Sequence, residues 1–303
     1  LFRSSFNLYY IMYRMEGIMG YFKLKNINYK YLLGEKEVLK NINLEIEKGD
    51  FLAIVGKNSS GKTTLCNVLR GFIPSFYKGE LQGEVIFRDK PILEYTSGEI
   101  AQKIGFVFQN PFTQISGVKE TVYDELAFGL ENLGLEVEYI KNRVEEVLEL
   151  LEIKDLKHKN PYELSGGQCQ KVALASIIAM NPEVLIIDEP TSQLDPKGTE
   201  DIFKIISVMA EQGKTIILVE HKLELISKYA KNVIVLDDGE ILLKGKTKEI
   251  LSNKILLEKE IGMTQYTMLA YNLMEEKNIK FNKIPVTKED IIDGLKNSQE
   301  VNI

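Results

Sequence analysis

Gly56-Lys57-Asn58-Ser59-Ser60-Gly61-Lys62-Thr63 is the stretch whose reading decides the fold. It fits the spacing G-x-x-x-x-G-K-[ST]. The apolar run Phe51 to Val55 precedes it, and a helical pattern through Leu65, Val68 and Leu69 follows and stops near Gly71. A strand, a glycine-bearing loop and a helix in that order turn backbone N–H groups and a helix N-terminus toward one point, which suits a phosphate chain. Lys62 adds a point charge near the β- and γ-phosphates of a nucleotide, and the Thr63 hydroxyl can ligate Mg²⁺. Gly56, Lys57, Asn58, Ser59, Ser60, Gly61, Lys62, Thr63 and Thr64 are the candidate contacts to a nucleotide.

Working outward, Leu24 to Tyr31 and Val38 to Ile46 alternate as strands. Gly83 to Phe87, a turn at Asp89-Lys90 and Ile92 read as an antiparallel hairpin, and so do Val233 to Leu236 and Glu240 to Leu243 around Asp237-Asp238-Gly239. Ile104 to Phe108, Val184 to Ile187 and Thr215 to Val219 are short apolar runs of the kind buried in parallel sheets. Tyr139 to Glu152 carries Ile140, Val144, Val147, Leu148 and Leu151 on one helical face. Strands alternating with helices predict an α/β core with added antiparallel pieces.

The run Val184 to Ile187 ends in Asp188-Glu189. A carboxylate at the end of a buried strand is placed to hold Mg²⁺ or its water shell, which is the part given to Asp188. Glu189, one residue on, is the candidate base for an attacking water. These two elements leave kinases, GTPases and many ATPases open. No Asn-Lys-x-Asp element for guanine is found; Asn253-Lys254 and Asn282-Lys283 lack the Asp. The deciding stretch is Leu164-Ser165-Gly166-Gly167-Gln168. Ser165 and Gln168 have capping-box spacing. That does not explain two consecutive glycines, each costing a helix about 1 kcal/mol. Bare backbone at a helix start is useful where an anion must approach closely.

With these motifs the chain resembles the ABC ATPase family over residues 22–250. Leu164 to Gln168 is similar to the family signature and Thr191-Ser192-Gln193-Leu194-Asp195 to its D-loop. Gln109, His221 and Tyr31 stand where the family has the Q-loop glutamine, the switch histidine and an adenine-stacking aromatic. Tyr29 sits two residues earlier on the same strand face and could serve in place of Tyr31. The resemblance implies a P-loop α/β fold with a parallel core sheet, an antiparallel sheet and a helical subdomain over about 110–180. It also implies Lys62, Gln109, Glu189 and His221 as catalytic groups, and Thr63, Gln109 and Asp188 around Mg²⁺. Ser165, Gly166, Gly167 and Gln168 would face the ATP of a second ATPase subunit. Ser59 departs from the family, which usually has Gly there, and Cys169 replaces a frequent basic residue.

Gly105 to Pro111 with Gln114, Glu125 to Gly134, Glu220 to Glu224 and the tail stretches Gly262 to Gln265 and Ile284 to Thr287 resemble a narrower group, the energy-coupling-factor ATPases of vitamin and cobalt or nickel importers. Phe112 and Thr113 depart from that group. The group implies a transmembrane coupling subunit and a small substrate-capturing membrane subunit as partners, with the ATPase peripheral on the cytoplasmic face of the membrane. Two rivals remain: the ATPase of another ABC transporter, and a soluble ABC ATPase acting on DNA or ribosomes.

Composition sets outer limits. The 303 residues hold 38 Lys and Arg against 44 Asp and Glu, a net charge of −6, which is poor for broad nucleic-acid binding. Cys66 and Cys169, the two cysteines, have no metal or redox spacing. No window approaches the ~20 apolar residues of a membrane span. Residues 1–21 read as an extension, with Met15 and Met19 as alternative starts. Residues 251–303 read as two short helices joined by a loop, an accessory or dimerisation region whose second helix opens on a Thr287 to Asp290 capping box.

Overall fold

The computed structural model describes residues 21–300, with side chains through residue 297. Met15, Met19 and the rest of the extension expected over residues 1–21 lie outside the described residues, apart from Tyr21. That ring is buried against Phe87, and its hydroxyl bonds the Glu183 carboxylate.

Two sheets form. The described residues open with β1 (Phe22–Tyr31) and β2 (Leu39–Ile46), cross to β3 (Phe51–Gly56) and α1 (Lys62–Leu69), and return through β4 (Gly79–Phe87) and the short β5 (Lys90–Pro91). The first sheet is antiparallel in the order β2-β1-β4-β5. Then come α2 (Ser97–Lys103), β6 (Ile104–Val107), α3 (Val122–Asn132), α4 (Val137–Leu150) and α5 (Gly166–Ala179). They are followed by β7 (Val184–Asp188), α6 (Pro196–Glu211), β8 (Thr215–Val219), α7 (Leu223–Tyr229), β9 (Asn232–Asp237) and β10 (Glu240–Lys246). The second sheet has the order β10-β9-β3-β8-β7-β6. Its pairs are parallel except the β9–β10 hairpin.

The two-residue period of the strands divides the core. Leu52 and Ile54 of β3, Val184 and Ile186 of β7, Ile217 and Val219 of β8, and Ile234 and Leu236 of β9 face the antiparallel sheet and α1. On the other face, Leu185 and Ile187 of β7 with Ile216 and Leu218 of β8 pack on α3–α6. There Ala53 and Val55 of β3 with Val233 and Val235 of β9 are left for the tail. The tail consists of α8 (Thr247–Leu251), α9 (Ile255–Glu258), α10 (Gln265–Lys277) and α11 (Lys288–Glu300). Leu256, Met263 and Val286 close this last cluster, and a buried aliphatic side chain is worth about 1.5–3 kcal/mol. Residues 251–303, expected to form two helices, hold α10, α11 and one short helix more, α9. The capping box is present: Thr287 N–H donates to Asp290 at 3.1 Å and Asp290 N–H to Thr287 Oγ1 at 3.2 Å.

Right-handed crossovers between parallel strands send every connecting loop out at the same end. The loops after β3, β6, β7 and β8 therefore emerge together, and they carry Lys62, Gln109, Asp188 with Glu189, and His221.

Candidate active site

The phosphate loop is held by steric necessity. Gly56 has φ 152°, and a Cβ there would lie 2.2 Å from the Leu236 carbonyl oxygen. Gly61 has φ 102°, and its Cβ would lie 2.8 Å from Val38 O. The backbone is thus wedged between β9 and the start of β2. Ser59 adopts φ 65°, the left-handed region that disfavours a side chain, which is the physical content of its departure from Gly. Lys62 is buried and donates to the carbonyls of Gly56 at 3.0 Å and Lys57 at 2.8 Å. Burial pulls its ammonium pKa below the usual lysine range, against the opposing pull of Glu189 and Asp188.

Two buried oxygens near this loop have no hydrogen-bond partner, Ser60 Oγ and Asp188 Oδ1. An orphaned carboxylate oxygen is costly unless something else fills its coordination. Burial, with the neighbouring Glu189 charge, raises the Asp188 pKa, while a hydrogen bond from Thr63 lowers it in part. Thr63 and Asp188 thus offer hard oxygen donors side by side, which fits Mg²⁺ completed by phosphate oxygens and water. Among the described residues no cluster of three His, Cys, Asp or Glu forms an all-protein cage.

Glu189 stands at φ 47° and is clasped from both sides. Gln109 Nε2 donates to Oε2 at 2.7 Å, and His221 Nε2 lies 2.8 Å from Oε1. Three loops, after β6, β7 and β8, converge on one carboxylate. The expectation that Gln109 stands at the metal meets a different contact here: its amide is spent on Glu189. Glu220 was given no role from sequence, yet it is buried and anchors the switch loop. It accepts from Thr191 Oγ1 at 2.8 Å and from the His221 N–H at 3.0 Å. The available signal was a charged residue directly after the apolar run of β8.

Tyr29 and Tyr31 are separated by burial. The Tyr29 ring is wholly buried and its hydroxyl is used on the Tyr77 and Lys78 carbonyls. Tyr31 is partly exposed, with its hydroxyl 3.0 Å from Thr64 Oγ1, next to the phosphate loop. Ser165 caps α5, with the Gln168 N–H donating to Ser165 Oγ at 3.4 Å and the Ser165 N–H to Gln168 Oε1 at 3.1 Å. A Cβ on Gly166 would meet nothing within 4 Å, and on Gly167 only Leu194 at 3.6 Å. Packing within this chain does not require these glycines. No hydrogen bond joins Ser165 to Gln168 with the phosphate loop among the described residues.

Residues 39–192 match the family model described as ABC transporter. The energy-coupling factor transporter ATP-binding protein EcfA2 of Streptococcus pyogenes is 39% identical over 279 residues, covering 90% of this chain and 98% of that protein. The chain belongs to the ABC transporter ATP-binding family. A Pyrococcus horikoshii ABC transporter ATP-binding protein is 37% identical over 279 residues, covering 92% of this chain and 97% of that one. Among solved structures, cbiO1 of Clostridium perfringens, described as part of the ABC transporter complex cbiONQ, superposes with TM-score 0.69 at 36% identity over 79% of this chain and 94% of that one. Another neighbour, a dimeric ATP-binding cassette bound to ADP and Pi, gives TM-score 0.65 at 32% identity over 75% of this chain and 98% of its own. The protein is an ATP-binding and ATP-hydrolysing ABC transporter subunit with the α/β cassette fold, of the energy-coupling-factor type in its resemblance. No helix among the described residues is long and apolar enough to cross a membrane.

Proposed function

We propose that this ABC ATPase energises an energy-coupling-factor importer of a vitamin or of cobalt or nickel. It would work as one of two ATPase subunits beneath a transmembrane coupling subunit and a substrate-capturing subunit. The names of the EcfA2 and cbiO1 relatives support the importer type. The observation that carries the ATPase mechanism is the convergence on Glu189. In the proposed reaction the phosphate loop and Lys62 hold the nucleotide phosphates and Tyr31 carries the adenine. Thr63 and Asp188 would hold Mg²⁺, which neutralises charge developing on the phosphates. Glu189 takes a proton from the attacking water. For that it must be freed from at least one of its two clasps, and Gln109 is taken as the movable one because Glu220 anchors the loop that carries His221. Ser165, Gly166 and Gly167 serve the nucleotide of the facing subunit.

The exit from β6 supplies a docking contact. Asn110 caps a short turn, Pro111–Thr113, and Phe112 stands there 39% exposed. Val118 is exposed as well, whereas Ile115, also apolar and on the same stretch, is buried in the core against α3–α6. We expect Phe112→Ala to leave ATP turnover of the isolated chain within about twofold and to weaken co-purification with membrane subunits, together with substrate uptake. Loss of turnover along with uptake would assign Phe112 to folding. Unchanged uptake would remove it from the interface. Membrane subunits that never co-purify with the unaltered chain would overturn the importer reading.

A further inference from the structure

A large cavity lies away from the nucleotide loops. It is a cleft of about 1430 Å³ between the β10–α8 edge and the tail segment joining α10 to α11. Lys231, Lys246 and Lys248 line one wall and Lys277, Lys280 and Lys283 the other, while only three carboxylates, Glu249, Asp290 and Asp293, share the lining. This concentration of positive charge occurs in a chain whose net charge is −6. We propose that the cleft is a binding site for an oligophosphate, an assignment independent of the transport role.

Three features point to that chemistry. First, carboxylates neutralise only two of the six lysines among the described residues, Lys231 through Asp50 at 3.1 Å and Lys248 through Asp290 at 2.6 Å. Asp290 is spent as a structural anchor: burial opposes its ionisation, but hydrogen bonds from Lys248 at 2.6 Å, from Thr287 and from the Val286 N–H outweigh it and hold its pKa low. Lys277, Lys280 and Lys283 have no hydrogen-bond or ion-pair partner among the described residues, so their charges remain available. Like charges facing each other across a cleft raise the energy of the free form and are relieved by an anion between them. Second, the lining contains lysines, asparagines and small hydroxyl residues. Ammonium groups act as point donors to phosphate oxygens, and amide N–H and hydroxyl groups add neutral donors. With cations on both walls of so large a space, one phosphate would engage only part of them, and a chain of phosphates spans them better. Third, both ends of the segment that carries Lys280 and Lys283 are held. Tyr271 Oη donates to Ser252 O at 2.7 Å, and Thr264 and Thr267 donate to the Val286 and Pro285 carbonyls at 2.9 and 2.8 Å, which ties α10 to the end of α8 and to the entry of α11. Held ends reduce the ordering cost of binding.

The test is titration calorimetry of the full chain with inorganic tripolyphosphate. It is done on Lys62→Ala so that the phosphate loop does not compete. Binding at micromolar concentration that weakens with added salt is expected. Adding K277A, K280A and K283A together should weaken it at least about tenfold, and arginine at the same three positions should retain it. ATP and ADP as competitors separate a nucleotide from an inorganic chain as the source of the phosphates. No heat in the Lys62→Ala chain, or equal affinity after the triple alanine change with a native circular dichroism spectrum, would overturn the assignment.

Discussion

Glu189→Gln tests the convergence of the three loops on one carboxylate. The exchange keeps the size and shape of the side chain, so its burial is unchanged. Its oxygen can still accept from His221 Nε2, which now lies 2.8 Å from Glu189 Oε1. On the other side, the Gln109 amide donates to Oε2 at 2.7 Å. A glutamine at 189 presents N–H₂ there, and a flip of the Gln109 amide turns its carbonyl to accept. Both contacts survive as neutral hydrogen bonds in place of charge-assisted ones, a loss of about 1 kcal/mol. The chain therefore folds and keeps Lys62, Thr63 and Asp188 for nucleotide. What it loses is the base. General-base removal costs ~10²–10⁴-fold in rate, or about 3–5 kcal/mol of barrier. Phosphate release measured beside ATP-induced thermal stabilisation separates the two effects. Slowed release with intact stabilisation is expected, and light scattering with MgATP should report an accumulated closed dimer. Glu189→Ala serves as the comparator. It strands Gln109 and His221 and should fall further in stability than Glu189→Gln. Turnover within a few-fold of the unaltered chain in Glu189→Gln would refute the role of Glu189 as base.

Other outcomes follow from the same geometry. Lys62→Ala should stay folded by circular dichroism but lose the stabilisation that saturating ATP gives, about 2.7 kcal/mol at a hundredfold excess over Kd; retained stabilisation would break the phosphate-loop reading. Ser59→Gly removes a side chain from φ 65° and should stabilise by about 0.5–1 kcal/mol net, since about 1–2 kcal/mol of left-handed strain is relieved against the added chain entropy of glycine; a lower melting temperature would contradict it. Gly167→Asp meets only Leu194 at 3.6 Å, so folding and ATP binding by the single chain should persist while steady-state turnover is lost; vanished ATP binding at equal stability would place the signature in the same-chain site.

The legible part of this molecule is the part fixed by local rules. Apolar runs ended in turn residues, so β3, β7 and β8 were readable to within a residue. The phosphate loop was readable because few backbones other than this one need Gly56 and Gly61 where a Cβ would strike Leu236 O and Val38 O. What escaped was decided by pairing across the fold. Tyr29 and Tyr31 share a strand and differ by two positions, and nothing local says that one is wholly buried in the core. Ile115 and Phe112 are both apolar and three residues apart, yet a 3₁₀ turn at Pro111–Thr113 and the helices behind it bury the first and leave the second half-open.

Glu189 is the sharpest case. Its position after Asp188 suggested a base, but its partners come from two other crossovers, 80 and 32 residues away along the chain. The carboxylate proposed to accept a proton is held here by two groups, one of which, Gln109, opens the loop that carries Phe112. The arrangement ties the readiness of the base to the position of an exposed surface. Moving that loop would release Oε2, and filling the space before Glu189 with nucleotide and water would displace Gln109 from it. By reciprocity, whatever equilibrium force docking exerts on the loop, nucleotide must exert back on the docking surface. If Phe112 docks a membrane subunit as proposed, coupling needs no long relay: the 2.7 Å bond from Gln109 to Glu189 is where the two events would compete for one side chain.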